Sequence, residues 1–231
     1  MQQLHDGLWV HEDSMRLGGV ALPVRMTVVR LASGGLWVHS PTELSTPLKN
    51  AVDDLGAVTA ILAPSNGHNL WFEAWQNAYP EAATFVARGI PKKLPNLTGY
   101  EFIDEHAADW ATDLDCQVMK GVPFFDECVF LHRPSRSLIV SDLVQNHRGR
   151  EQQGFAKVIS KLIMEPIGFK DICTAPPLRF KFVVKDRPAF HGFLGDVQAW
   201  DFNRIIVAHG NIIDDDAKAT LARLCEKLAA G

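Results

Sequence analysis

Three polar side chains each follow a predicted buried strand, and together they could hold a metal ion. They are His68, Asp142 and His209, which come after the runs 58–63, 138–140 and 205–208. Strand ends on one side of a sheet converge in space, so we expect the three side chains to meet. Two imidazoles and one carboxylate form a ligand set that zinc, manganese or iron accepts. The pattern therefore predicts a site for one divalent transition metal, with zinc as the first candidate.

Such a site would supply hydrolytic chemistry. An ion with three protein ligands and an open position lowers the pKa of bound water from near 15.7 to about 7 and polarises a carbonyl or phosphoryl oxygen. Asp142 is the candidate catalytic residue, because it could act as a general base if it is not a ligand. A structural alternative stays open, in which the three side chains hydrogen-bond one another as the remnant of a decayed metal site.

Further polar residues are candidates for contacting a substrate. His39 lies on an apolar strand, where a buried core histidine is the alternative interpretation. His147 follows Asp142 closely enough to border its site, and Arg136 lies in the turn before the strand, where it could clamp an anionic substrate or be solvated.

The elements of the first half of the chain alternate between strands and helices. The predicted strands are 7–10, 24–31, 36–39, 58–63 and 83–87, and the predicted helices are 42–55 and 70–79. The first three strands read as an antiparallel meander, because Gly34-Gly35 is a turn signal between two of them. The later alternation of strand and helix implies a right-handed parallel crossover unit joined to that meander.

The second half centres on a hairpin that ends at Asp142. Its strands are 127–132 and 138–140, separated by the hairpin-sized turn 133–136. The remaining predicted elements are helices at 151–167, 188–200 and 214–230 and a strand at 204–208. These elements predict an α/β fold, and we interpret residues 1–231 as one domain.

Composition excludes several classes of protein. With 47% hydrophobic residues and a net charge of -4, the chain has ample core material and no basic bias towards nucleic acid. The four cysteines show no C-x-x-C spacing, which favours reduced thiols and a cytoplasmic location. No apolar run is long enough for a membrane span, and the N-terminus shows no secretion signal. A small-molecule substrate is the expected partner, and a homodimer is an open option.

Several segments carry a resemblance to a known fold. Gly7-Leu8-Trp9-Val10 resembles the first strand of the metallo-β-lactamase fold, and His209-Gly210 stands after a late strand and before a final helix, as in that fold. The segments 25–31, 36–42, 135–143 and 208–210 look like a bacterial subfamily whose function is not assigned. The resemblance implies an αββα four-layer sandwich, with mixed sheets inside and helices on the outer faces.

One loop departs from the superfamily pattern. Active members carry H-x-H-x-D-H after the strand that here ends at Ala63, whereas this chain has a single histidine, His68, in that loop. If His68 takes the place of the last histidine, the resemblance implies that His68, Asp142 and His209 form the second metal position. A shift by one residue would instead put His68 at the aspartate of the motif. The first metal position has no ligands from this loop, so a second ion beside the one at the triad would need His39, Glu127, His132 or His147 as substitutes.

Two functions follow from this comparison. The first is a metal-dependent hydrolase of an ester, thioester, lactone or phosphoester, working through water bound to a single metal. The second is a non-catalytic or ligand-binding protein of the same fold, without metal, in which the site has decayed. A redox role with iron is a more distant third.

Overall fold

The structure, a computed structural model, describes residues 1–17, 20–150, 154–180 and 182–230. Most of the strands in these ranges belong to two large sheets. The strands are β1 (Gln2–His5), β2 (Leu8–Leu17), β3 (Val20–Arg30), β4 (Leu36–His39), β5 (Val58–Ala63), β6 (Ala83–Val86), β7 (Glu101–Phe102), β8 (Leu114–Val118), β9 (Cys128–His132), β10 (Ser137–Val140), β11 (Gln145–Asn146), β12 (Ile172–Cys173) and β13 (Arg204–Val207).

The helices connect these strands and cover them. They are α1 (Thr46–Asp53), α2 (Phe72–Ala78), α3 (Ile90–Lys93), α4 (Ile103–His106), α5 (Gly154–Ile159), α6 (Glu165–Ile167), α7 (Arg187–Ala199) and α8 (Ala217–Ala230). A π-helical segment, Ser160–Met164, joins α5 to α6, and 3-10 turns lie at Ala107–Trp110 and Pro176–Arg179. No helix within the described ranges combines the length and the apolar character that crossing a bilayer requires.

Helix starts differ from the predicted ones for identifiable reasons. The helix predicted from residue 42 begins at Thr46, because the Ser45 hydroxyl accepts a hydrogen bond from the backbone N–H of Leu48 at 3.3 Å and caps it. The last helix begins at Ala217 rather than at residue 214. The start predicted at Glu151 lies outside the described residues.

The first sheet has seven strands in the order β1-β2-β3-β4-β5-β6-β7. Strands β1 to β4 pair antiparallel, and β4 to β7 pair parallel. This arrangement confirms the predicted meander joined to a parallel unit. The hairpin of β2 and β3 is longer than predicted, because its pairing continues from Leu8 opposite Val29 to Leu17 opposite Val20.

The second sheet has four strands in the order β13-β10-β9-β8. Strands β9 and β10 form the predicted hairpin, with Leu138 opposite Leu131. Strand β13 lies parallel to β10, with Val140 opposite Val207. The residues that follow these two strands, Asp142 and His209, therefore leave the sheet at the same edge.

Side-chain alternation along the strands creates the four layers. Ile139 and Phe130 point into the core between the sheets, where they join Trp37 of the first sheet. Their neighbours Leu138 and Val140 point the other way and pack against α7 and α8. A third core lies between the outer face of the first sheet and helices α1 to α3. The predicted αββα sandwich with mixed sheets is therefore confirmed.

One topological expectation needs correction. The three strands that precede His68, Asp142 and His209 were expected to end on one side of a single sheet. Strand β5 belongs to the first sheet, whereas β10 and β13 belong to the second. The three chain segments still meet, but they meet at a shared edge of two stacked sheets.

Candidate metal centre

His68, Asp142 and His209 come together at this edge, and we call them the triad. One ligand atom from each lies within 4.8 Å of the others. His68 Nε2 is 3.7 Å from Asp142 Oδ2, and His209 Nε2 is 4.0 Å from Asp142 Oδ1. These distances are too long for hydrogen bonds, but ligands that share an ion at bonds of about 2.0–2.2 Å can lie up to roughly 4.4 Å apart. Among the described residues, no other cluster of three potential ligands has this geometry.

His209 turns its Nε2 atom towards the carboxylate of Asp142. Its Nδ1 lies 2.8 Å from the backbone oxygen of Pro23 in β3. A carbonyl oxygen only accepts hydrogen bonds, so Nδ1 must carry a proton, and Nε2 is the ring nitrogen that faces Asp142. A protonated Nδ1 bonded to a backbone carbonyl is the usual support of a metal-binding histidine.

Gly210 allows the chain to turn immediately after His209. Its φ is +98°, and a Cβ at this position would lie 1.7 Å from the backbone oxygen of Asn146. A side chain could not be accommodated there without moving the backbone of β11. Glycine is therefore required directly after His209, because the chain passes so close to the backbone of Asn146 at this point.

His68 is supported from the first sheet. Its Nδ1 lies 2.7 Å from the hydroxyl oxygen of Ser40, which directly follows β4. Burial is the main reason that the pKa of His68 is lowered to about 4. The carboxylate of Asp142 opposes this shift, and His209 adds to it. The ring is therefore neutral at pH 7, and a proton on Nδ1 can be donated to Ser40 while Nε2 keeps its lone pair.

Glu127 holds the backbone that carries Asp142. Its carboxylate accepts hydrogen bonds from the backbone N–H groups of Ser141 at 2.6 Å, Asp142 at 3.1 Å and Leu143 at 2.8 Å. Burial, together with the charge of Asp142, raises the pKa of Glu127 to about 8, although the N–H groups oppose the rise. Both oxygens are engaged, so Glu127 supports the site rather than completing a second metal position.

Gln145 connects Asp142 to His147. The Gln145 amide donates to Asp142 Oδ1 at 3.2 Å, and its oxygen lies 3.0 Å from His147 Nε2, which must be the donor. Burial is the main reason that the pKa of His147 is lowered to about 4. His147 therefore borders the site, as expected, but its Nε2 proton is used by Gln145.

His39 lies in the core between the sheets. Its ring stacks on Trp37 at a centroid distance of 5.6 Å and meets the edge of Phe130. It is 1% exposed, and burial lowers its pKa to about 3. In the described part of the chain, its Nε2 has no hydrogen-bond partner. This placement agrees with the core interpretation and gives the ring no open face for a substrate.

The structure does not bring Arg136 to the triad. Arg136 lies in the turn before β10, whereas Asp142 follows the other end of that strand, which spans about 13 Å at roughly 3.3 Å per residue. Its guanidinium is half exposed and pairs with Asp201 at 2.5 Å. His132 lies at the same distant end, where its Nδ1 is 2.7 Å from Ser135 Oγ.

Sequence reasoning missed the residues that support the triad. Ser40, Pro23 and Gln145 each contact one member of it. Ser40 lies in the segment 36–42 that carries the resemblance but was given no role, and Pro23 and Gln145 lie outside the segments that carry it. The one signal available was the polar pair Gln145-Asn146, which follows the apolar Leu143-Val144 just after the candidate ligand. A backbone carbonyl such as that of Pro23 leaves no signal in the sequence.

Solved structures of one class share this architecture. The chain aligns with a metallo-β-lactamase from Erythrobacter litoralis at 13% identity and a TM-score of 0.65, over 98% of this chain and 95% of that one. The metallo-β-lactamase FIM-1 from Pseudomonas aeruginosa, solved in a mono-zinc form, aligns at 13% identity and a TM-score of 0.64, over 100% of this chain and 96% of that one. A metallo-β-lactamase from Pontibacter korlensis aligns at 13% identity and a TM-score of 0.61, over 97% of both chains. The fold is thus that of the metallo-β-lactamases.

The family of the chain is defined by its sequence. Residues 5–155 match the family model described as "Domain of unknown function (DUF4336)". The matched region covers more than half of the chain, so the chain belongs to this family. His68 and Asp142 lie inside the matched region, and His209 lies beyond it. No curated protein shows significant similarity to the sequence.

The geometry also bears on the loop that departs from the superfamily motif. If H-x-H-x-D-H is aligned so that its last histidine is His68, the other ligand positions fall on Ala63, Ser65 and Gly67. A Cβ at Gly67 would lie 2.8 Å from Asp142 Oδ2, so a side chain there would press on the carboxylate. The described residues therefore fit one ion and offer no ligand set for a second.

Proposed function

We propose that this chain is a metal-dependent hydrolase that holds one divalent transition metal, with zinc as the first candidate, between His68, Asp142 and His209. One observation carries the proposal: two imidazoles each turn Nε2 towards a different oxygen of one carboxylate, while Nδ1 of each ring lies within hydrogen-bond distance of another group. The Nε2–oxygen distances of 3.7 and 4.0 Å are too long for hydrogen bonds, and they leave a space between ligand atoms that an ion could occupy.

The residues around the triad have supporting roles in this proposal. His68 and His209 are ligands, and Asp142 is either the third ligand or the general base, with Gln145 restricting the orientation of its carboxylate. Glu127 fixes the backbone from which Asp142 projects. A bound divalent ion would activate water and polarise the carbonyl or phosphoryl group of a substrate. The three side chains are 6 to 10% exposed, which limits access of bulk water.

The substrate class proposed is a small ester, thioester, lactone or phosphoester. A location in the cytoplasm is part of the proposal, because the free cysteines suit a reducing compartment. The metallo-β-lactamase FIM-1 was solved in a mono-zinc form, so in that protein the fold holds a single zinc.

The test is hydrolysis by the full-length chain after reconstitution with zinc, manganese or iron(II). A panel of chromogenic esters, thioesters, lactones and phosphoesters would be compared for the wild type, for His68→Ala and for the matched control His132→Asn. We expect at least one substrate class to be cleaved, with a loss of about 100-fold or more in His68→Ala and none in the control. Equal rates in His68→Ala and the wild type would contradict the proposal.

A second candidate is a binding protein that keeps the fold without catalysis. The observation that favours it is the loss of ligands at Ala63, Ser65 and Gly67, which would hold a first metal in active members of the superfamily. Metal-free protein whose stability does not change on addition of zinc would support this candidate over the hydrolase.

A further inference from the structure

A cavity with a largely basic lining lies beside the triad. It occupies about 230 Å³ between residues 20–23 of β3, the turn 147–150, and the segments 157–165 and 169–171. Its basic lining residues are Arg148, Arg150, Lys157, Lys161 and Lys170. Among the described residues, only two acidic ones, Glu165 and Asp171, line it, whereas the chain as a whole carries a net charge of -4. We call this cavity the basic pocket.

Two guanidinium groups share one carboxylate beside the basic pocket. Arg150 pairs with Glu12 at 2.8 Å, but the same carboxylate oxygen also pairs with the buried Arg25. One negative charge thus faces two positive charges. Arg150 itself lines the pocket, so this excess of positive charge lies at the pocket wall.

The basic pocket is adjacent to the triad but separate from it. None of the three triad side chains lines it. Two lining residues connect the pocket to the triad: the Pro23 carbonyl accepts a hydrogen bond from His209 Nδ1, and His147 donates to Gln145, which contacts Asp142. Met164, Phe169 and Leu22 add apolar surface to the lining. The pocket therefore combines charge for an anion with apolar walls for an organic body.

We propose that the basic pocket binds the oxyanion of a small molecule, a phosphate or a carboxylate group. Arg148 and Lys170 supply exposed cationic donors at its rim, and guanidinium groups match both kinds of oxyanion. This assignment does not depend on a metal in the triad.

The test is isothermal titration of the full-length chain with inorganic phosphate and, separately, with succinate. We expect one of these anions to bind, and we expect the dissociation constant to rise with ionic strength. The two arms distinguish a phosphate from a carboxylate ligand. Arg148→Ala and Lys170→Ala should each weaken binding about tenfold, as expected for loss of one charge-assisted contact. The matched control is Lys120→Ala, which removes an exposed charge outside the pocket.

His68→Ala distinguishes this pocket from the metal centre. His68 does not line the pocket, so binding of the anion should persist in this variant. Binding that is lost in His68→Ala and retained in Arg148→Ala and Lys170→Ala would place the anion at the triad and overturn the proposal. Absence of binding for both anions at low salt would also overturn it.

Discussion

Ser40 and the Pro23 carbonyl determine which ring nitrogen of each histidine faces Asp142. Each lies within hydrogen-bond distance of an Nδ1 atom, at 2.7 and 2.8 Å. A ring held at Nδ1 has little freedom to flip, so Nε2 stays directed at the carboxylate. Ser40 adopts a left-handed conformation with φ of 53°, which is costly for a residue with a Cβ. Strain of this kind is typical of functional sites.

Substitutions of Ser40 separate its hydrogen bond from its backbone strain. Ser40→Ala and Ser40→Gly both remove the hydroxyl, and we expect both to weaken zinc binding about 10- to 100-fold. Ser40→Gly should be more stable than Ser40→Ala by about 1 kcal/mol, because glycine tolerates positive φ. Competitive zinc titration and urea unfolding measure the two effects. Wild-type zinc affinity in Ser40→Ala would show that the hydroxyl does not support the metal centre.

His132 offers a pH-dependent test away from the triad. Burial, together with the charge of His5, lowers its pKa to about 4, although Asp113 opposes the shift. The unfolded chain then binds more protons than the folded chain between pH 6.5 and 4, so stability is lost as the pH falls through this window. The shift of the His132 pKa from 6.5 to about 4 corresponds to at most about 3 to 4 kcal/mol.

His132→Asn should remove this contribution while keeping a polar group near Ser135. We expect the free energy of unfolding of the variant to fall less than that of the wild type between pH 6.5 and 4, as measured by urea denaturation. His191→Asn, at an exposed position, is the control. Parallel pH profiles for His132→Asn and the wild type would show that His132 does not titrate in this way.

At the scale of elements, Glu127 joins the start of β9 to the loop that follows β10. Its carboxylate accepts three backbone N–H groups from residues 141–143. The residue is 0% exposed, so water cannot replace these acceptors. The loop that carries Asp142 therefore depends on a side chain from the neighbouring strand.

Glu127→Ala would leave three buried N–H groups without partners. We expect a loss of about 3 to 5 kcal/mol in the free energy of unfolding, and a smaller loss in Glu127→Gln because its amide oxygen still accepts. Chemical denaturation monitors both, with Glu226→Ala on the exposed face of α8 as the control. A loss below about 1 kcal/mol in the free energy of unfolding of Glu127→Ala would mean that the loop 141–143 does not depend on the Glu127 side chain.

Sequence patterns predicted the elements better than their assignment to sheets. The apolar runs ending at Ala63, Val140 and Val207 all proved to be buried strands. Apolar periodicity shows that both faces of a strand are covered, but it does not show which sheet the strand joins. Long-range pairing decides that, which is why β5 was expected in one sheet with β10 and β13 and lies in the other sheet.

Only part of the candidate site could be predicted, because contacts between distant segments are not visible in local sequence patterns. His68, Asp142 and His209 carry ligand atoms, and each follows a legible strand, so their types and places could be predicted. Ser40 and Glu127 act through contacts between segments that are distant in sequence. Arg136 was placed near the site because it is close to Asp142 in sequence, but strand β10 carries the two apart.

At the scale of the whole molecule, the triad links the two sheets. His68 follows β5 of the first sheet, and Asp142 and His209 follow strands of the second. The core between the sheets includes Trp37 and Phe130, whose rings meet edge to face at 4.8 Å. An ion bound by all three side chains would therefore link the two sheets, which the core around Trp37 and Phe130 also joins.

A bound ion should stabilise the whole fold by mass action. Unfolding separates the three ligands, so zinc at about 100 times its dissociation constant should add about 2.7 kcal/mol to the free energy of unfolding. We expect thermal unfolding to shift upwards on addition of zinc for the wild type and for His132→Asn, and to stay unchanged for His209→Ala. An equal shift in His209→Ala would indicate zinc binding elsewhere.

The most direct test of the metal centre is elemental analysis of protein purified without chelators. The three-ligand site predicts about one equivalent of a divalent transition metal per chain in the wild type and in the His132→Asn control. His209→Ala should lose that metal while remaining folded by circular dichroism. A metal-free wild type that also fails to take up zinc, or a His209→Ala variant with its metal retained, would contradict the account.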